Sequence, residues 1–309
     1  MSTATTVPET HHQGAGDARD QLRRTGTVQL LRDAATRLRV ADGTSYVRAL
    51  GHSSVTTLIP GLIAVIGLVT AFDMTGFRAV LADAARSFAP GPAGDILTDA
   101  ITRADPSSGT TALIVGLAST LLSGTVGVTH LERAANRIYG VNEDRSLRRR
   151  LGLAAVLAAT VEVMLMVALA VIVAGGAIGE GSSGASRGSG TWSVVRWPLG
   201  VGLVAVAMTI IFKVVPNRRQ PQFSWLLSGT VVSVTAWLLA TVLLGFVYER
   251  ATLLGEAYGP LVGVVALLVW AYATGLAVVF GLSCAAQLEA ERAGEPAPAS
   301  DGERTRRGR

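Results

Sequence analysis

The chain has 309 residues, 50% hydrophobic and only 16% charged, with a mean hydropathy of +0.44. Soluble domains carry about 25% charged residues, so the composition excludes an ordinary water-soluble globule, and such an apolar chain is not a disordered one. The formal charge of +5 and a pI of about 10.0 leave two classes, a membrane protein with basic loops or a nucleic-acid binder; where the charge lies decides between them.

In chain order, residues 1–26 are polar and read as a disordered cytoplasmic tail. Residues 27–41 read as an amphipathic helix. Val28, Leu31, Ala35 and Leu38 share one face, and Arg32, Arg37 and Arg39 surround it. This pattern suits a helix lying on the cytoplasmic membrane surface, or one packed on the cytoplasmic loops. Six apolar stretches follow, at 55–72, 111–129, 151–178, 194–215, 224–248 and 261–286. Each approaches the ~20 residues a helix needs to cross the hydrocarbon core, and none shows the ~10-residue alternation of barrel strands. The first begins too late for a cleaved signal peptide. Between the first two lies an external loop predicted to hold amphipathic helices over 76–88, through Phe77, Val80, Leu81 and Ala84, and over 94–103, separated by Pro90-Gly91-Pro92. Residues 179–190 read as a Gly/Ser linker and 290–309 as a disordered basic tail. The expected architecture is an all-α integral membrane bundle of six transmembrane helices, with a membrane domain over 27–289.

The basic residues settle the charge question. Of 27 lysines and arginines, 21 fall before the first span, after the second and fourth, or in the tail, and 6 fall in or beside the alternate loops. Six spans with both termini in the cytoplasm obey the positive-inside rule throughout. The pI is then a record of membrane orientation, and no nucleic-acid partner is needed.

Within the spans, Glu162 is the candidate functional acid. A carboxyl inside the bilayer is expensive and by default marks a pathway or a buried partner. Ala155 and Ala158 lie on its helical face and admit a neighbouring helix. Thr230, Ser233, Trp237, Thr241 and Tyr248 form one stripe on the fifth span, a candidate cavity lining or a packing face. Gly116, Thr120 and Gly124 make a small-residue stripe on the second span, and Gly259 and Gly263 repeat the spacing at the sixth. Pro60 and Pro198 interrupt the first and fourth spans and are candidate kinks. The single cysteine, Cys284, forms no internal disulfide, and the four histidines lie without metal-ligand spacing. Neither a metal nor another cofactor is expected, nor a nucleotide-binding loop with a lysine. The expectation is a protein that is not an enzyme.

The second span is followed by Asn136-Arg137-Ile138-Tyr139-Gly140-Val141 and a basic cluster, the fourth by Val215-Pro216-Asn217-Arg218-Arg219. Gly229 opens the fifth span, Tyr258-Gly259 precede the sixth, which holds Trp270 and Tyr272, and Gly281-Leu282-Ser283 and Gln287-Leu288-Glu289 close it. This succession, over roughly residues 30–290, resembles the YihY/BrkB family of bacterial inner-membrane proteins. Two positions depart from the family's pattern: Ser283 stands where an acid is frequent, and His52 where a tyrosine often precedes the proline matched by Pro60. The resemblance implies a multi-pass protein of the bacterial cytoplasmic membrane. Its members have been linked to serum resistance, envelope physiology and lipid or lipopolysaccharide export, and an old ribonuclease BN label is regarded as a misassignment. The leading expectation is transport or flipping of a lipid or amphipathic envelope component, without ATP hydrolysis in this chain. The alternative is a non-transporting scaffold or assembly factor. Asn136, Arg137, Tyr139, Pro216, Arg218 and Arg219 are the candidate family motif. Beside Arg148, Arg149 and Arg150 they form a basic face suited to anionic lipid headgroups. A homo-oligomer or an envelope protein partner is left open.

Overall fold

The computed structural model describes residues 4, 6–10, 13–73, 77–79, 81–82, 98–99, 101–103, 106–141, 145–181, 188–250, 260–295 and 298. Eight long helices are described: α1 (Ala15–Thr25), α2 (Thr27–Val40), α3 (Gly43–Ala71), α4 (Pro106–Tyr139), α5 (Leu147–Gly181), α6 (Gly188–Val214), α7 (Phe223–Arg250) and α8 (Pro260–Arg292). No strand occurs among the described residues. Helices α3 to α8 supply six segments long and apolar enough to cross a membrane.

Local chemistry sets the boundaries at the N-terminal side. The Asp17 carboxylate accepts the Gly14 N–H at 3.1 Å and opens α1. Arg23 and Arg24 lie in its last turn, where cations complement the helix dipole. Gly26, at φ +82, ends α1 and starts α2 in a conformation natural to glycine. Asp42 turns the chain from α2 into α3 at φ +55, a left-handed geometry that aspartate tolerates.

The six spanning helices close into a ring in chain order. Each packs on the next, and α8 returns to α3. Helix α2 lies on α8, and α1 on α7 and α8. The α3–α4 seam is the most extensive because small residues let the backbones meet. A Cβ on Gly116 would stand 2.5 Å from the Ala64 nitrogen, so no larger residue fits there. The α7–α8 seam works alike, with Gly229 against the Gly281 carbonyl. Large apolar side chains such as Ile59, Ile114, Leu122, Val156, Val163 and Val242 face outward. That is the reverse of a soluble core and suits a lipid surround. Buried residues gather at one end of the ring, where Val7, Leu30, Leu38, Ile138, Tyr139, Phe212, Trp225 and Leu288 share a cluster. Both described ends of the chain meet there, and we call it the terminal end.

Several expectations change. The helices outrun the apolar stretches: α3 starts at Gly43, and α4 runs to Tyr139. Asn136, Arg137, Ile138 and Tyr139 therefore sit on the last turn of α4 and not in a loop. Residues 290–292 complete α8. The N-terminal tail, expected to be disordered, forms α1 and buries Ala4 and Val7 in the terminal-end cluster. Composition missed this because the segment is held chiefly by polar bonds. Helix α2 buries Leu30, Ala34, Arg37 and Leu38 against the bundle, while Val28 is exposed, so its inner face is rotated from the predicted one and Arg37 is inside. Most of 76–88, Pro90-Gly91-Pro92, half of 94–103, residues 182–187 of the Gly/Ser linker, Tyr258, Gly259 and most of the C-terminal tail lie outside the described residues. Helical backbone is present at 77–79, 81–82, 98–99 and 101–102. Leu81, Ala82 and Ile101 pack there with Val65 and Ile66.

Candidate functional site

The terminal end brings together the motifs that are far apart in sequence. The last turn of α4, the irregular connection from α6 to α7, the last turns of α8 and the N-terminal segment converge on Arg218. Its side chain is only 3% exposed, and Glu289, fully buried, pairs with it at 2.7 Å. The guanidinium stacks 4.7 Å above the Tyr139 ring. Its two terminal nitrogens also donate to the Val7 and Pro8 carbonyls, at 3.1 and 3.0 Å. Thr10 donates to the same Glu289 oxygen at 2.5 Å. Asn136 accepts the Asn217 N–H at 2.9 Å and ties α4 to the connection, whose Pro216 is buried. Arg219 is exposed, and its N–H donates to the Glu9 carboxylate at 3.1 Å. The Arg137 carbonyl accepts the Ala4 N–H at 3.3 Å. A shallow recess of about 330 Å³ opens between Thr6, Glu9, Tyr139, Gly140, Asn217 and Arg218.

Two further cations brace this end. Arg37 is fully buried on α2 and donates to Gln287 at 2.8 Å and to the Ile138 carbonyl at 3.1 Å. Burial pushes its guanidinium down to about 10, against the pull of Glu291 and Glu295, so it stays charged at neutral pH. Arg145 pairs with buried Glu132 at 3.0 Å and donates to the Val214, Val215 and Pro216 carbonyls. They are the last carbonyl of α6 and the two that follow it, where a helix end leaves carbonyls without helical partners.

Glu162 sits elsewhere, on the α4–α5 seam inside the spanning bundle. It is half-buried, and its Oε1 is buried without a hydrogen-bond partner. Gly124 faces that oxygen, and a Cβ there would collide with it. Ala158, also on the seam, is buried as the face pattern predicted. Three residues of the α7 stripe make helix–helix contacts. Ser233 donates to the Ala277 carbonyl at 2.9 Å, and Thr230 meets Thr209 at 3.0 Å. Thr241 accepts the Trp270 indole N–H at 3.1 Å, beside an edge-on Trp237–Trp270 pair. Tyr248 lies in α7, with its side chain outside the described residues. Pro60 and Pro198 are carried inside α3 and α6, and Pro198 is exposed on the outer surface.

The structure thus assembles Asn136, Tyr139, Pro216, Arg218 and Arg219, and keeps Glu162 and the α7 stripe apart from them. Sequence reasoning did not single out Arg37, Glu132, Arg145 and Glu289 as site residues or pair them with their partners. The signal available was weak: acids and arginines flanking spans read as topology markers, and nothing in their spacing pairs residues up to 250 positions apart. No group of three or more His, Cys, Asp or Glu placed to hold a metal occurs among the described residues.

A ring of six membrane-crossing helices with a polar, arginine-rich end defines a multi-pass helical membrane protein. The chain belongs to the virulence factor BrkB family, whose pattern matches residues 34–306. It is also similar to the putative ribonuclease-like protein YfkH of Bacillus subtilis (strain 168), 23% identical over 259 residues, which cover 82% of this chain and 93% of the relative. No solved structure matches it.

Proposed function

We propose that the protein moves a lipid or an amphipathic envelope component across the bacterial cytoplasmic membrane, without ATP hydrolysis in this chain. The observation carrying this reading is Glu162: an acid amid spanning helices, with a buried and unpartnered carboxylate oxygen facing Gly124. Retaining such a group in lipid costs about 2.5–3.5 kcal/mol on insertion scales, and proton or cation coupling is the use that fits an unpaired carboxyl. The arginine-rich terminal end is read as the cytoplasmic face, where it meets anionic headgroups. Purified protein in liposomes, tested for lipid scrambling with and without a pH gradient, examines this. Glu162→Gln is expected to slow scrambling at least tenfold at equal reconstituted amount. Full activity of that variant removes Glu162 from the mechanism.

A second reading, a scaffold or assembly factor for envelope proteins, is favoured by the α7 stripe, whose polar groups are spent on neighbouring helices. No scrambling by the wild-type chain, with reproducible co-purification of one envelope protein, selects it over transport. A homo-oligomer is compatible with either.

A further inference from the structure

We propose that Arg218 is the centre of an oxyanion-binding site at the terminal end, and that residues 6–10 cover it by filling it with their own oxygens. The proposal rests on the headgroup reading of this end and adds the site and its cover.

The N-terminal segment presents itself to Arg218 as an anion would. The Val7 and Pro8 carbonyls occupy the two terminal guanidinium nitrogens at 3.1 and 3.0 Å, the two-pronged contact arginine makes with phosphate. A third oxygen from the same segment, on the Glu9 carboxylate, accepts the next backbone N–H, of Arg219, at 3.1 Å. The segment therefore places two dipoles and a negative charge on the Arg218–Arg219 turn. The 330 Å³ recess beside these contacts gives a phosphate group an approach from solvent.

Tyr139, Arg218 and Glu289 lie inside the matched residues 34–306, and Thr6 to Thr10 lie before them. Among the described residues Glu289 is the carboxylate bound directly to Arg218, at 2.7 Å, and it offsets one positive charge. Arg37 lies close enough for Arg218 to repel it, with Glu291 and Glu295 also acting on it, and Arg219 follows Arg218 with the Glu9 carboxylate on its N–H. Releasing the cover strips two acceptors from Arg218 and the Thr10 hydroxyl from Glu289. It leaves guanidinium donors, stacked and pre-oriented on the Tyr139 ring, for a ligand's oxygens.

The test uses the full chain in nanodiscs of zwitterionic lipid, with a site-specific protease sequence inserted between Gln13 and Gly14. The protein folds with the segment in place and is then cut. Inorganic phosphate and dihexanoyl phosphatidylglycerol are titrated before and after cutting. At least tenfold tighter binding after the cut is expected, with most of the gain lost in Arg218→Lys. Equal gains for both probes identify the phosphate group alone as the ligand; a gain for the lipid only identifies a headgroup. Should the cut segment stay seated, Val7→Asp in the uncut chain puts a charge where Val7 is 3% exposed and expels it, and the same tenfold criterion applies. Arg218-dependent binding that neither cutting nor Val7→Asp changes overturns the cover and leaves the headgroup reading standing. No binding of either probe in any form overturns both.

Discussion

Arg145 shows what single residues contribute at the terminal end. Its side chain is 13% exposed and its partner Glu132 4%, and the same guanidinium holds three carbonyls at the end of α6. Arg145→Ala leaves a buried carboxylate unpaired and those carbonyls without a donor. Breaking a buried pair from one side costs about 3–5 kcal/mol, so the variant should lose thermal stability in detergent, read as a markedly lower unfolding temperature. Adding Glu132→Gln should recover part of the loss, because the uncompensated charge is gone. If the single variant melts like wild type, the pair is not structural. The contrast with Glu162 explains what the sequence could reveal. An acid within a long apolar run stands out against its neighbours, and its face was readable from Ala158 by helical spacing. Glu132, Glu289 and Arg37 stand among other charges at span ends, where a buried partner and a solvated one look alike. The packing of α8 and the return of the N-terminal segment enclose Glu289 and Arg37, and Arg145 at the end of α6 encloses Glu132.

Among the elements, the α3–α4 seam and the N-terminal segment lie at opposite extremes of stability. The seam is backbone against backbone, and Gly116→Leu has no flexible neighbour to displace, since the Ala64 backbone stands in the way. Overpacking a well-packed core costs about 1–3 kcal/mol, and a clash with backbone lies at the upper end of that range. Gly116→Leu should therefore cut the folded, monodisperse yield, while Leu122→Ala on the outward face of the same helix, 71% exposed, should leave it near wild type. Equal yields from the two would show that the seam tolerates separation. Residues 6–10, by contrast, are not helical and bury chiefly Val7, worth about 1.5–3 kcal/mol. Ordering each backbone residue costs about 1–2 kcal/mol, so the segment depends on its bonds to Arg218, Glu289 and the Tyr139 carbonyl. Elements so sparsely anchored open first. Helix existence was legible throughout the spans because hydropathy alone dictates it. The ends of α3, α4 and α8 were not, because the polar turns that extend them are stabilised by tertiary contacts that composition does not register.

For the whole molecule, the fold turns the charge distribution into a testable direction. Six crossings return the chain to the side on which it began, and α1 packs against α7 and α8 accordingly. Helix α4, 34 residues long, separates Arg103 before its start from Arg149 beyond its end. At ~1.5 Å per residue that is about 50 Å, more than a bilayer's hydrocarbon core. Arg103 is 78% exposed at its side chain, and Arg149 is exposed at the terminal end. We propose that the terminal end faces the cytoplasm, because most arginines collect there and the positive-inside rule favours that side for them. The native Cys284 is buried, so the unmodified chain supplies the background for thiol labelling. In intact cells a membrane-impermeant maleimide should label Arg103→Cys at once. Arg149→Cys should label only after the membrane is permeabilised. The reverse pattern would place the Arg218 site and its N-terminal cover outside the cell, where a cytoplasmic-leaflet headgroup could not reach them. Labelling of both in intact cells would mean that the ring does not separate its two ends across the membrane.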